Sequence, residues 1–247
     1  MAGTAISGRL AWRVATLVES RDETPTARTL VFDVPGWPGH LAGQHVDIRL
    51  TAEDGYSAQR SYSLSTPSQV DRVEVTVQLV SDGEVSSYLH DIYSVGDPLE
   101  LRGPIGGWFV WRPDELEPVL LVAGGSGIVP LMAMIRARRE AGSRVPFKLI
   151  YSVRSPDELY YAEELRKPQA GLDITYVYTR ETPDGWPQPP GRLGVATVNS
   201  AAWPADFAPR CFVCGPTGFV ETVANILVAL DHDPRRIKTE RFGPTGA

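Results

Sequence analysis

Short runs of alternating apolar and polar residues fill the first half of the chain. Residues 14–18, 29–34, 45–50, 73–80 and 98–101 each carry β-branched or alternating side chains, the pattern of strands with one buried face. Thr76-Val77-Gln78-Leu79-Val80 shows the alternation plainly. Turn formers separate the runs: Pro35-Gly36-Trp37-Pro38-Gly39, Asp54-Gly55 and Gly96-Asp97-Pro98. Strands this closely spaced predict a small antiparallel barrel or sandwich.

From about residue 118 the rhythm changes. Val119-Leu120-Leu121-Val122-Ala123 is apolar throughout and runs straight into Gly124-Gly125-Ser126-Gly127. Residues 128–140 then set Leu131, Met134 and Ile135 at helical spacing. Further buried strands are expected at 147–153, 174–178 and 211–214, and helices at 156–167 and 218–230, with a Pro/Gly-rich loop after 178. Strands buried on both faces and alternating with helices mean a parallel sheet with crossover helices. The expected fold is thus two domains, β then α/β: residues 1–113 and 114–247, divided in the polar stretch Arg112-Pro113-Asp114-Glu115.

Composition narrows the function. Of the 247 residues 43% are hydrophobic and 22% charged, enough for two cores and unlike a disordered chain. The net charge of −6 argues against a nucleic-acid partner. No apolar run approaches the roughly 18 residues of a membrane span, and the first residues lack a signal-peptide pattern, so a cytoplasmic protein is expected. Cys211 and Cys214 are the whole thiol inventory, where an iron–sulfur cluster or structural zinc takes about four ligands. Their Cys-x-x-Cys spacing suits a redox pair, but it lies inside an apolar run, so buried thiols are the preferred reading. The four histidines, His40, His45, His90 and His232, show no metal-binding spacing.

Three segments carry chemistry. Gly124-Gly125-Ser126-Gly127, between strand and helix, is either a tight turn or a pyrophosphate cradle built from backbone N–H groups and the helix dipole. Pro130 suits the first turn of that helix. Arg60-Ser61-Tyr62-Ser63-Leu64-Ser65 offers a cation, a flat ring and three hydroxyls. It is either a strand with Tyr62 on one face or a site for a phosphate and a planar heterocycle. Gly83-Glu84-Val85-Ser86-Ser87-Tyr88-Leu89 reads as a helix start, where Ser86 or Ser87 either caps the helix or helps to bind an anion.

Taken in order, Arg60-x-Tyr62-Ser63, Gly83-x-x-Ser86-x-x-Leu89, Gly103-Pro104-x-Gly106, Gly124-Gly125-Ser126-Gly127-x-x-Pro130 and Cys214-Gly215-Pro216 resemble the ferredoxin–NADP reductase superfamily, from about Arg13 to Phe242. The ending Glu240-Arg241-Phe242-Gly243-Pro244 is similar to the reductase ends of flavohaemoglobins and oxygenase reductases. The resemblance implies an antiparallel flavin barrel followed by a parallel-sheet nicotinamide nucleotide domain. It implies that Tyr62 stacks on the flavin, that Ser63 bonds near its N5, and that Arg60 with Ser61, Gly83, Val85, Ser86 and Ser87 serves FAD. Trp108 or Phe109 would lie near the adenine side. Gly125, Ser126, Gly127, Gly215 and Pro216 would hold the nicotinamide cofactor. Cys214 would sit beside the nicotinamide C4, with Glu240 and Phe242 closing the other side of the flavin.

The donor is NADPH or NADH. A 2′-phosphate calls for cations, and Arg154, Arg180 and Arg192 resemble the positions where NADP-dependent members place them, which favours NADPH. Pairing of Arg180 or Arg192 with Glu181 or Asp184 is the structural alternative. With too few cysteines for a plant-type cluster, the expected acceptor is a separate protein: a ferredoxin, a haem protein or a metalloenzyme. A flavin-binding electron-transfer subunit of a larger complex, or a direct reductase of a ferric chelate or free flavin, is the alternative. Arg136, Arg138, Arg139 and Arg144 read as a solvated helix end, and Arg235, Arg236 and Lys238 as a docking patch.

Overall fold

A computed structural model describes residues 10–243. Six strands, β1 (Arg13–Thr24), β2 (Ala27–Asp33), β3 (His45–Thr51), β4 (Ser57–Ser63), β5 (Arg72–Gln78) and β6 (Pro98–Ile105), form an antiparallel sheet in the order β4-β3-β6-β1-β2-β5. Just past β4, Leu64 bridges to Val75 of β5, and the Ser65 N–H donates to the Glu74 carbonyl at 3.0 Å. The two edge strands thereby meet, and the sheet closes into a barrel. Leu17, Phe32, Ile48, Val75 and Leu101 fill its interior. A short helix, α1 (Glu84–Ser87), runs on into one π-helical turn, Tyr88–Ile92, between β5 and β6.

Residues 106–118, in which the expected boundary falls, lead to the second sheet. Its strands β7 (Val119–Gly124), β8 (Phe147–Val153), β9 (Leu172–Tyr178), β10 (Arg210–Pro216) and β11 (Ile237–Phe242) are parallel, in the order β11-β10-β7-β8-β9. The helices are α2 (Ile128–Glu140), α3 (Ala162–Leu165), α4 (Val195–Ala201) and α5 (Thr217–Ala229). The antiparallel barrel and parallel α/β unit expected from the hydrophobic pattern are both present. No helix among the described residues is long and apolar enough to cross a membrane.

Several local expectations are corrected. β11 adds a fifth parallel strand, which Ile237-Lys238-Thr239-Glu240-Arg241-Phe242 hides by carrying charge at three positions. The helix expected over 156–167 shrinks to a 3₁₀ turn at Pro156–Glu158 and the single turn α3. Tyr161 interrupts it at φ 56°. The loop after β9 contains α4.

The largest correction concerns α2. Arg136 and Arg138 are buried, so they do not form a solvated helix end. The apolar side chains of α2 share a core with the parallel sheet and with Ala27 and Ala42 of the barrel, which places this helix between the domains. Burial also explains β5, where Glu74 and Thr76 are buried along with Val73, Val75 and Val77. One face of β5 fills the barrel and the other meets the second domain.

At the same seam Gly43 has φ 101°, and a Cβ there would stand 1.9 Å from the Phe109 carbonyl oxygen and 2.8 Å from Met134 Cε. Gly43→Ala is therefore expected to lower stability by more than about 2 kcal/mol in urea unfolding. Gly55→Ala, with φ 89° but open space around it, should cost only about 1 kcal/mol. Equal losses would show that the close approach is unimportant.

Candidate functional site

The C-terminal ends of the parallel strands point at the rim of the barrel. Cys214 of β10 lies between Ala123 of β7 and Glu240 of β11 in the ladder. The Ser63 hydroxyl at the end of β4 donates to Glu240 Oε1 at 3.4 Å. Residues 151 positions apart in the chain, Ser63 and Cys214, thus border one place. Burial raises the Glu240 carboxyl to about 7, against a smaller opposing effect of the Ser63 hydrogen bond. Burial also pushes the Cys214 thiol well up, and the neighbouring Glu240 carboxylate adds to this. Cys214 is therefore a neutral thiol at pH 7, suited to shaping a surface rather than to nucleophilic attack.

The two cysteines are both buried and free. Cys214 belongs to the core on the α2 side of the sheet, and Cys211 to the core containing α4 and α5 residues. Alternation along the strand sends them to opposite faces. Burial raises the Cys211 thiol to about 12.

The glycine-rich segment follows β7 as a 3₁₀ turn, Gly125–Gly127, that opens α2. A Cβ on Gly127 would lie 2.1 Å from the Cys214 carbonyl oxygen. Only glycine lets this turn press against the end of β10, and the same lack of a side chain leaves backbone N–H groups open to an anion. Gly215 follows Cys214, and Phe242 pairs with Pro216 at the end of the ladder.

On the barrel side, residues 60–63 lie in the strand β4. Tyr62 is half-buried, and burial raises its hydroxyl so that it stays protonated. Arg60 is exposed; its guanidinium donates to the Gln59 carbonyl and makes no ion pair among the described residues. Ser61 is turned to other work: its hydroxyl donates to Asp47 Oδ1 at 2.6 Å, and Asp47 is paired with Arg102. At α1 neither Ser86 nor Ser87 caps the helix. The Ser86 hydroxyl instead accepts from the Val80 N–H and donates to the Gly83 carbonyl, both at 3.2 Å, which fixes the turn ahead of Val85. Phe109 is buried edge-on against Phe212, whereas Trp108 is exposed beneath the Lys238 ammonium.

A second feature lies beyond β8 and β9, against the start of α5. Arg154, Arg180 and Arg192 line one cavity of about 570 Å³ with Ser152, Thr179 and Phe219. None of the three guanidinium groups makes a salt bridge or a side-chain hydrogen bond among the described residues, so the alternative pairing of Arg180 or Arg192 with Glu181 or Asp184 is not made. Arg235 and Arg236 are at the other end of β11, and both are engaged. Arg235 is held by Asp233 at 2.9 Å, and Arg236 donates to the Ala208 carbonyl at 2.9 Å. Lys238 donates to the Val110 carbonyl. A docking patch at this end would face away from Glu240.

Residues 14–110 match the oxidoreductase FAD-binding domain family, and residues 121–225 the oxidoreductase NAD-binding domain family. The chain belongs to the ferredoxin–NADP reductase superfamily. Within the superfamily it is 32% identical to the glycine betaine monooxygenase reductase subunit of Chromohalobacter salexigens, over 91% of this chain and 62% of the relative. It is 34% identical to the ferredoxin reductase component of the 3-ketosteroid-9-alpha-monooxygenase of Mycolicibacterium smegmatis, over 93% and 64%. The chain thus spans less than two thirds of these relatives. Among solved structures, the FAD/NAD-binding domain of a Vibrio cholerae nitric oxide dioxygenase superposes with TM-score 0.85 at 27% identity, covering 96% of this chain and all of that domain. A cytochrome P450 reductase from Amycolatopsis gives 0.80 at 28%, covering 98% and 74%.

His45 is a site neighbour that motif reading passes over. It stands opposite Ser63 across the β3–β4 ladder, and burial lowers its pKa, with Asp47 opposing. The signal was available: a hairpin centred on Asp54 pairs residue 45 with residue 63.

The titration of Glu240 sets a pH dependence of stability. A carboxyl at about 7 when folded and near 4.3 when unfolded keeps its proton longer in the folded state. Stability contributed by the protonated form is therefore present at low pH and lost as pH rises through this window. In urea unfolding of the apoprotein, wild type should lose about 2 kcal/mol relative to Glu240→Gln between about pH 5 and about pH 8. Parallel pH profiles would show that the buried carboxyl does not titrate in that range.

Proposed function

We propose that this chain takes hydride from NADPH, in preference to NADH, onto FAD and passes the electrons to a separate acceptor protein, a ferredoxin or a redox metalloenzyme, in the cytoplasm. The observation that carries the reading is the meeting of Ser63, at the end of the barrel strand with Tyr62, and Cys214 and Glu240, at the ends of β10 and β11. The two family domains converge there. When bound, FAD supplies a ring that accepts two electrons with a hydride and releases them singly.

Residues 1–113 form the FAD unit in this reading and residues 114–247 the nucleotide unit. Tyr62 gives the flavin a flat apolar surface, and Arg60 with the backbone at Gly83, Val85, Ser86 and Ser87 meets its pyrophosphate. The exposed, unpaired Arg60 and the turn fixed by the Ser86 hydroxyl fit that task. Ser61 supports β4 from the opposite face through Asp47. Gly125, Ser126 and Gly127 with Gly215 and Pro216 take the nicotinamide cofactor's pyrophosphate. Cys214, Glu240 and Phe242 wall the place where the rings meet, with orientation as their contribution.

Arg154, Arg180 and Arg192 favour NADPH, since unpaired guanidinium groups in one cavity suit a phosphate dianion. Cys211 and Cys214, both buried in β10, cannot hold a plant-type cluster, which takes four cysteines, so in this reading the electrons leave these two domains for an acceptor outside them. The names of the relatives, reductase components of monooxygenases, favour an oxygenase system.

Anaerobic titration of the FAD-loaded protein with each donor tests the reading. NADPH should bleach the flavin faster than NADH at equal concentration, and slow bleaching by both would overturn it. Replacing Arg154, Arg180 and Arg192 by Ala should raise KM for NADPH about 100-fold, as loss of two or three charge-assisted bonds implies, and leave KM for NADH within about threefold. Rapid turnover with a ferric chelate or free flavin, unimproved by any protein acceptor, would favour the direct reductase.

A further inference from the structure

The helix that opens at the Gly125–Gly127 turn carries, about 13 Å further along its axis, a guanidinium that leaves its own domain. Arg136 Nη1 donates to the Ser65 carbonyl at 2.9 Å and to Glu74 Oε1 at 2.8 Å, both in the barrel. Its Nε and Nη2 donate to Glu164 Oε2, of α3, at 3.1 and 2.7 Å. Ser65 follows Ser63 by two residues, so one side chain ties the helix behind the dinucleotide turn to the strand that ends at the ring site.

The contact is part of a buried polar seam. Glu74 also receives the Ser65 hydroxyl at 2.6 Å and Arg21 at 2.7 Å. The Tyr161 ring lies 4.9 Å from the Arg136 guanidinium carbon, and its hydroxyl bonds to Thr76 of β5. The Tyr161 N–H donates to Glu23 of β1 at 3.0 Å. Tyr161 does this in the left-handed region, at φ 56°, where a bulky residue stays only if its surroundings hold it. An apolar seam could slide by a fraction of an ångström at little cost. Sliding this one would stretch several of these bonds at once, and hydrogen bonds weaken steeply with distance and angle.

We propose that Arg136 is a positioning residue for hydride transfer: by bonding the barrel at Ser65 and Glu74 and its own domain at Glu164, it sets the separation and tilt of the nicotinamide half against the flavin half. The assignment rests on the hydride-transfer reading above. Arg136 touches neither ring site itself, and donor affinity, which belongs to the glycine turn and the arginine cavity, is independent of it.

The test uses the full chain with Arg136→Met, which keeps length and removes the donors, and Arg136→Lys, which keeps charge but cannot hold three acceptors at once. Nitroxide labels on Ser81→Cys and Ser200→Cys, both exposed, one in each domain, report the interdomain distance distribution of the apoprotein. Both Arg136 variants should broaden it. In the FAD-loaded protein the transfer rate at saturating NADPH should fall at least about tenfold with KM within about twofold, as expected when orientation alone is lost. The primary deuterium isotope effect should change, which simple loss of stability would not produce. If the Met variant does not fold, the Lys variant decides by the same readings. An unbroadened distribution together with a wild-type transfer rate overturns the proposal. Failure of NADPH to reduce the wild type would instead count against the hydride-transfer reading, and the apoprotein distances would still judge Arg136.

Discussion

Taking a guanidinium out of water costs several kcal/mol unless its donors are met and its charge is balanced, and Arg136 meets those conditions only when both domains are in place. Burial disfavours its charge, and the Glu164 and Glu74 carboxylates more than offset that. Much of the local structure follows from this one requirement. Glu74 is buried in β5, the Ser65 carbonyl accepts from Arg136 where the barrel closes, and Glu164 of the one-turn helix α3 pairs with the same guanidinium. A charge buried in this way is not a source of stability in itself, because a well-packed apolar replacement is often as stable. What it supplies is discrimination between nearly equivalent packings.

The site shows the same economy of means. Glu240 and Cys214 are adjacent in the ladder, and each is driven toward its neutral form by burial. A carboxyl near 7 can lose or keep its proton at small cost, whereas the thiol beside it stays protonated. The Ser63 hydroxyl is the barrel's contribution to this place. A site divided between two sheets depends on their relative position, which is why the seam and the site belong in one account.

The order of elements was legible because the hydrophobic period changes once, near residue 118, from alternation to continuous apolar runs, and a parallel sheet demands that change. The glycine turn was legible for a steric reason, since Gly127 abuts a carbonyl that tolerates no Cβ. β11 was not, because its strand character lies in pairing with β10 and not in its own side chains. Arg136 and Arg138 were misread as a solvated helix end because sequence ranks arginine by its charge, and their burial depends on partners up to 71 residues away. His45 falls in the same class, its position being set by hairpin register and not by a motif.

The arginine cavity completes the electrostatic picture. A chain with six more acidic than basic residues has ample carboxylates with which to pair its cations, and it pairs most of its buried or half-buried arginines. Arg21, Arg49, Arg102, Arg136 and Arg210 all have acidic partners. Arg154, Arg180 and Arg192, which are exposed, line a single cavity without an acidic partner among the described residues. Asp157, Glu158, Glu181 and Asp184 are close in sequence, yet none makes that contact. The cavity therefore carries three cations that no carboxylate among the described residues neutralises, a charge that a dianion would balance. In the reading proposed above, the preference for a 2′-phosphate resides as much in the pairs that are not formed as in the contacts the phosphate would make.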